Sequence, residues 1–219
     1  MRKVAVSAFV SLDGVMQAPG GPDEDPTGGF TLGGWTVNYW DDVMRQAMGE
    51  VFAEPFDLLL GRKTYEIFAA HWPYVEGEEI AGPFNAATKY VATSSTEPLT
   101  WKNSVAIRDA AVEIARLKQT DGPKLLVQGS SGLLQTLLAK DLIDQFTFLI
   151  FPLVLGGGKK FFASGAMPAG LKLIDSKTSS TGVMMNRYVR AGAIETGSFA
   201  LAEPTTAEVA RRQKMKREG

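Results

Sequence analysis

The chain of 219 residues contains no cysteine, which excludes disulfides, thiolate metal sites and cysteine nucleophiles. Its single histidine, His71, leaves no material for a histidine-rich metal centre or an H-E-x-x-H motif, so no metal site is expected. No charge of one sign dominates: 23 Lys and Arg stand against 24 Asp and Glu, a net charge of −1. General nucleic-acid and anionic-membrane binders carry a basic excess, so neither partner is expected. Long hydrophobic runs are also missing. The run from Val4 to Val10 is broken by Ser7 and closed by Ser11 and Asp13, too short and too polar-ended for a signal peptide. No later run reaches the roughly 18 apolar residues of a membrane span. These absences fit a cytoplasmic protein. What is present, 45% hydrophobic and 21% charged residues, is ordinary for a globular fold and too apolar for a disordered chain.

Apolar strand-like segments alternate with helix-like ones. Strands are expected at Lys3–Val10, Phe56–Leu60, Lys89–Thr93, Ser104–Ile107, Lys124–Val127 and Phe146–Phe151. Helices are expected at Tyr39–Phe52, with Val43, Ala47 and Val51 on one face, at Lys63–Ala69, from an Asp109 cap to Lys118, and at Ser130–Ala139. Leu171–Thr178 and Val183–Arg190 alternate around Thr181-Gly182, a hairpin signal. Successive β-α units with a late hairpin predict an α/β fold: a mixed, mostly parallel sheet covered by helices, with an antiparallel edge. No repeat or linker divides residues 1–192, which read as one domain. Residues 193–219 read as an extension, with a short strand over Thr196–Leu201 and a helical tail carrying Arg211, Arg212, Lys214, Lys216 and Arg217.

Several segments could carry chemistry. Leu60-Gly61-Arg62-Lys63-Thr64 turns a buried strand into a helix, and such a junction offers free N–H groups, a positive dipole end, a guanidinium and a hydroxyl to a phosphate. The same residues also read as a strand-ending glycine, a solvated arginine and a capping threonine. Val127-Gln128-Gly129-Ser130-Ser131-Gly132 repeats the strand, small-residue turn and helix, without the G-x-G-x-x-G or G-x-S-x-G order. Thr93-Ser94-Ser95 ends a third strand in hydroxyls, where ligands of open α/β sheets bind. Gly156-Gly157-Gly158-Lys159-Lys160 lacks Walker spacing and reads as a glycine turn with lysines at its mouth. Asp13, in Ser11-Leu12-Asp13-Gly14, is a candidate to orient or protonate a substrate, or else an Asp-Gly turn. A Gly/Pro-rich loop runs from Gln17 to about Gly34, and its segment from Pro19 to Gly34 is a candidate lid, with Trp35 or Trp40 as an aromatic wall.

Taken in order, these motifs resemble the dihydrofolate-reductase-like superfamily, and more closely the reductase domain of the bifunctional riboflavin-biosynthesis deaminase-reductase. Ser11-Leu12-Asp13-Gly14 is similar to that branch's S-x-D-G element, Gly61–Glu66 to its G-R-x-T-x-E element, and Gly129-Ser130-Ser131-Gly132 to its G-G-S-type turn. Asp141–Gln145 through Pro152–Gly156 resembles its L-[VI]-D-E…P-x-x-L-G stretch. Gln128 departs from the usual first glycine, and Gln145 from a frequent glutamate. The resemblance implies a three-layer fold with helices on both sheet faces, a homodimer, and NADPH as cofactor. It implies that Arg62 and Thr64 hold phosphates on the adenosine side, Ser94 and Ser95 lie near the ribose 2′-phosphate, and the backbone of Gly129–Gly132 receives the pyrophosphate, with Gly61 also in the cofactor site. Asp13, Trp40, Leu155 and Gly156 then border the substrate. The implied activity is hydride transfer to a pterin-, pyrimidine- or ribosyl-type substrate, as in 5-amino-6-(5-phosphoribosylamino)uracil reductase. The alternative is a nucleotide- or pterin-binding protein that keeps the fold without turnover.

Overall fold

The computed structural model describes residues 1–76, 80–163 and 167–218. One sheet of eight strands organises it: β1 (Val4–Ser11), β2 (Phe56–Gly61), β3 (Lys89–Ala92), β4 (Ser104–Ile107), β5 (Lys124–Val127), β6 (Gln145–Phe151), β7 (Leu171–Thr178) and β8 (Met184–Arg190). Their spatial order is β4-β3-β2-β5-β1-β6-β8-β7. The first six are mutually parallel, and β8 and β7 close the edge antiparallel. Strands buried on both faces read as continuous apolar runs, which is why Val4–Val10 and Phe56–Leu60 lack alternation.

The helices are α1 (Asp42–Phe52), α2 (Arg62–Ala69), α3 (Ala81–Ala86), α4 (Ala110–Lys118), α5 (Ser131–Ala139) and α6 (Thr206–Glu218). On one face Val4, Val6, Ala8 and Val10 of β1 pack with Ile114 and Leu117 of α4 and Leu133, Leu134 and Leu137 of α5. On the other, Ala5, Leu58 and Leu60 pack with Tyr65 of α2 and Phe84 of α3, and Leu149 and Phe151 with Met44 and Met48 of α1. Helices therefore cover both faces. Among the described residues no helix is long and apolar enough to cross a membrane.

Two expectations are corrected. The inward face of α1 is centred on Met44 and Met48, and Val43 is 38% exposed. Asp41 fixes the helix start by accepting from Met44 N at 2.9 Å, which rotates the buried stripe one position past Val43, while Ala47 and Val51 keep its margin. The segment Thr196–Leu201 forms no strand. Phe199 is fully exposed and none of the sheet's eight strands pairs with the segment, so its backbone joins no ladder. The helical tail forms as α6, without a buried residue.

Candidate functional site

The strand order turns outward in both directions from the β5-β1 pair, and ligands of open α/β sheets bind beyond the carboxyl ends of strands at such a place. A cleft of about 1010 Å³ opens there. Its walls come from Ser7–Phe9 of β1, Gly61–Thr64 at the β2-α2 junction and Gln128–Gly132 at the β5-α5 junction. The loop from Met16 to Asp25 borders it, and one end is aromatic.

The helix termini divide into two kinds. Those of α1 and α4 are capped by aspartates, Asp41 accepting from Met44 N and Asp109 from Val112 N at 3.1 Å. Those of α2, α5 and the six-residue α3 have no side-chain cap, and of these α2 and α5 open onto the cleft directly from strand ends. Uncapped first-turn amides and the positive dipole end are what an anion requires. The two junctions are stitched together, since Ser130 Oγ accepts from Gly61 N at 2.7 Å. A Cβ on Gly61 would lie 2.9 Å from Ser130 Cβ, so only glycine lets the turns close this tightly. Gly129 and Ser130 both have positive φ, 110° and 70°, and this reversal brings α5 into the cleft wall. Small residues, the hydroxyls of Thr64, Ser130 and Ser131, and two uncapped helices make a donor set that fits a dinucleotide's phosphates.

The other expected residues are distributed differently. Trp40 lines the cleft, edge-on to Phe9 at 5.7 Å, whereas Trp35 is buried behind it. Arg62 lines the cleft, but its guanidinium is engaged: Nε donates to Glu66 Oε1 at 2.6 Å, and Nη1 and Nη2 to Glu97 at 2.9 and 3.0 Å. Ser94 and Ser95 lie outside the cleft wall, in a turn where Arg108 donates to the Thr93 and Ser95 carbonyls. Asp13 also lies outside. Its carboxylate accepts from the Ser11 hydroxyl at 2.6 Å and from Leu155 N and Gly156 N at 3.0 Å each. The Ser11 hydroxyl first, and then those amides, hold its carboxyl below the usual range. Asp13 thus ties the end of β1 to the 155–156 turn, and Leu155 faces a smaller side pocket.

Other residues enter only through the tertiary structure. Gln17 holds the cleft loop, donating to the Asp25 and Thr27 carbonyls at 2.8 Å each and accepting from Lys159 N at 3.0 Å. Lys159 Nζ pairs with Asp25, and Lys63 stands 3.7 Å from the same carboxylate. Glu24 lines the cleft and accepts from Gly20 N, and burial raises its carboxyl above the ordinary value. Phe52, Phe68, Trp72 and Phe84 form the aromatic end, with neighbouring ring centroids 5.0–6.1 Å apart. Ser7, the one polar interruption of β1, was a visible signal. The contacts that tie this loop to Lys159 had none, because they join residues over 130 positions apart.

Known proteins share this architecture. The Bacillus subtilis (strain 168) protein YwjB is 30% identical over 194 residues, 87% of this chain and 99% of its own. A putative riboflavin biosynthesis protein from Shewanella sp. PV-4 superposes with a TM-score of 0.58 at 20% identity, covering 86% of this chain and 99% of that one. Dihydrofolate reductase from Enterococcus faecalis, complexed with NADP(H), superposes with a TM-score of 0.55 at 13% identity, covering 86% and 96%. These likenesses establish the dihydrofolate-reductase-like fold. The RibD C-terminal domain profile matches residues 2–185, nearly the whole strand-and-helix body just described, and the chain therefore belongs to the RibD C-terminal domain family, whose character is reductase-like.

Proposed function

We propose that this chain is a reductase that binds NADPH across the α2 and α5 termini and reduces a small planar ring held at the aromatic end of the cleft. The observation that carries this reading is that the two helices leading directly from strand ends into the cleft, α2 and α5, are both uncapped, while α1 and α4 carry aspartate caps. Gly61, Thr64 and Gly129–Gly132 would hold the pyrophosphate, with Ser131 and Gly132 amides as donors. Arg62 would hold the 2′-phosphate once freed from Glu97, with Ser94 and Ser95 at its margin. NADPH, when bound, supplies the hydride, which is the hard part of the chemistry.

The protein's own share is alignment and dryness. Trp40, Phe52 and Phe68 exclude water from the ring, and the Met16–Asp25 loop covers it, fixed by Gln17 and the Lys159–Asp25 pair. Asp13 acts as a positioning residue, pinning the 155–156 turn to the end of β1. Glu24 stands on the cleft wall with its carboxyl raised by burial above the ordinary value, and it is the loop's candidate proton-holding group. The dinucleotide claim is tested by titrating the purified chain with NADPH and NADH. Binding of NADPH in preference to NADH is expected. Failure of both to bind at sub-millimolar concentration would remove the cofactor, and equal affinity would remove the 2′-phosphate contact. Restoring growth of a reductase-deficient riboflavin auxotroph would place the activity in that pathway, and failure to restore it would exclude that role.

A further inference from the structure

The substrate class can be narrowed, on the assumption that the reductase reading holds. Among the described residues, three buried side-chain polar atoms have no hydrogen-bond partner: Ser7 Oγ, Trp72 Nε1 and Gln128 Nε2. All three residues line the one cleft. Ser7 is 4% exposed. The β1-β5 register sets Ala5 beside Leu126 and Val6 beside Val127, which places Ser7 next to Gln128 on the neighbouring strand. Both stand on the sheet face of Ala5 and Leu126, toward α2 and α3. A buried polar group without a partner opposes folding, and native proteins leave few of them. Three on one cleft mark a place where a ligand completes the bonding.

Their chemistry restricts that ligand. An indole N–H can only donate, an amide NH₂ donates, and a hydroxyl can do so. The surrounding wall of Phe9, Trp40, Phe52, Phe68 and Phe84 suits a flat apolar body. Among the described residues, carboxylates on the cleft come from Asp23, Glu24 and Asp25 of the covering loop. Asp25 is engaged by Lys159 and Lys63, and Glu24 accepts from Gly20 N. Among the described residues, the titratable group at the aromatic end is His71, exposed and edge-on to Trp72 at 4.8 Å. At Trp72, which can only donate, a ring that presents an amino or amidine N–H would meet a donor, while Ser7 and Gln128 carry acceptors as well. A ring that presents oxygens would meet partners.

We propose that the aromatic end of the cleft binds a flat, uncharged ring bearing carbonyl oxygens, of the quinone or conjugated cyclic ketone class, and that Ser7, Trp72 and Gln128 donate hydrogen bonds to those oxygens. The test is calorimetric titration of the full chain with 1,4-naphthoquinone and, as the amidine-type control, 2,4-diaminopteridine, each with and without NADP⁺. The absence of cysteine removes thiol capture of the quinone as a confounding reaction. Naphthoquinone is expected to bind roughly tenfold or more tightly than the diaminopteridine, the difference expected when buried donors find or lack acceptors. Ser7→Ala and Trp72→Phe should each weaken naphthoquinone roughly three- to tenfold, the range for one hydrogen bond. Ser7→Ala should also raise the melting midpoint of the ligand-free chain, because it removes an unpaired buried hydroxyl; a structural serine would lower it. Preference for the diaminopteridine, or unchanged quinone affinity in both variants, overturns the proposal. If NADPH binds while naphthoquinone does not, only the ring class falls. If naphthoquinone binds while NADPH does not, the reductase reading falls instead.

Discussion

Substituting Gly61 by alanine probes the junction on which the cleft depends. The glycine's backbone is extended, φ −80° and ψ 162°, so alanine meets no backbone strain there. The obstacle is space: the new Cβ would lie 2.9 Å from Ser130 Cβ and 3.0 Å from Ser130 Oγ, with Leu133 at an ordinary 3.7 Å. Overpacking of this kind costs about 1–3 kcal/mol. Displacing Ser130 also loses the Gly61 N–H to Ser130 Oγ bond, about 1 kcal/mol more. Ser130→Gly alone loses that same bond but releases a serine held at φ 70°, a relief of about 1–2 kcal/mol, so the two nearly cancel. In the Ser130→Gly background the Gly61→Ala change has little left to strike. The double mutant should therefore be at least about 1 kcal/mol more stable than the sum of the single changes, since contacting residues couple by about 0.5–3 kcal/mol. Urea unfolding of the four proteins measures the cycle, and NADPH titration of the same set should show Gly61→Ala binding weakest. Additivity within about 0.5 kcal/mol would refute the close-contact reasoning.

Three other outcomes are expected. Glu24 has a raised folded pKa, so its contribution to stability falls as pH rises through the ordinary glutamate value toward the folded one. Glu24→Gln, which can still accept from Gly20 N, should melt above the wild type at pH 7, with the difference closing below pH ~4; a difference that persists there would contradict it. Lys89 is fully buried, and its pKa is lowered to about 8, first by burial and then by Lys102. Wild type should gain on the order of 3 kcal/mol relative to Lys89→Met as pH rises from 8 to 10.5, read by denaturant unfolding at each pH. Asp13→Ala strands the Leu155 and Gly156 amides and should cost about 1–3 kcal/mol of stability and lower kcat more than it weakens NADPH, as steady-state kinetics and titration would show.

The sequence by itself carried the architecture, because local signals suffice for it. Mostly apolar runs without strict alternation marked parallel strands, the Thr181-Gly182 hairpin marked the antiparallel edge, and Asp109 marked the start of α4. The strand-turn-helix junctions at Gly61 and Gly129 were legible for the same reason, since a strand, a small-residue turn and a helix lie within a few residues. Which residues share a cleft was not legible. Ser7 meets Gln128 through a strand order that brings β5 beside β1, and Arg62 is engaged by Glu97 rather than left open, a pairing across 35 positions. Asp13 read as a catalytic acid or a turn residue, and only the return of Leu155 and Gly156 to its carboxylate shows it clamping a loop. Backbone periodicity and capping are properties of neighbouring residues. The partners of a side chain in a cleft are set by how distant strands are ordered, and that is decided by the packing of the whole sheet.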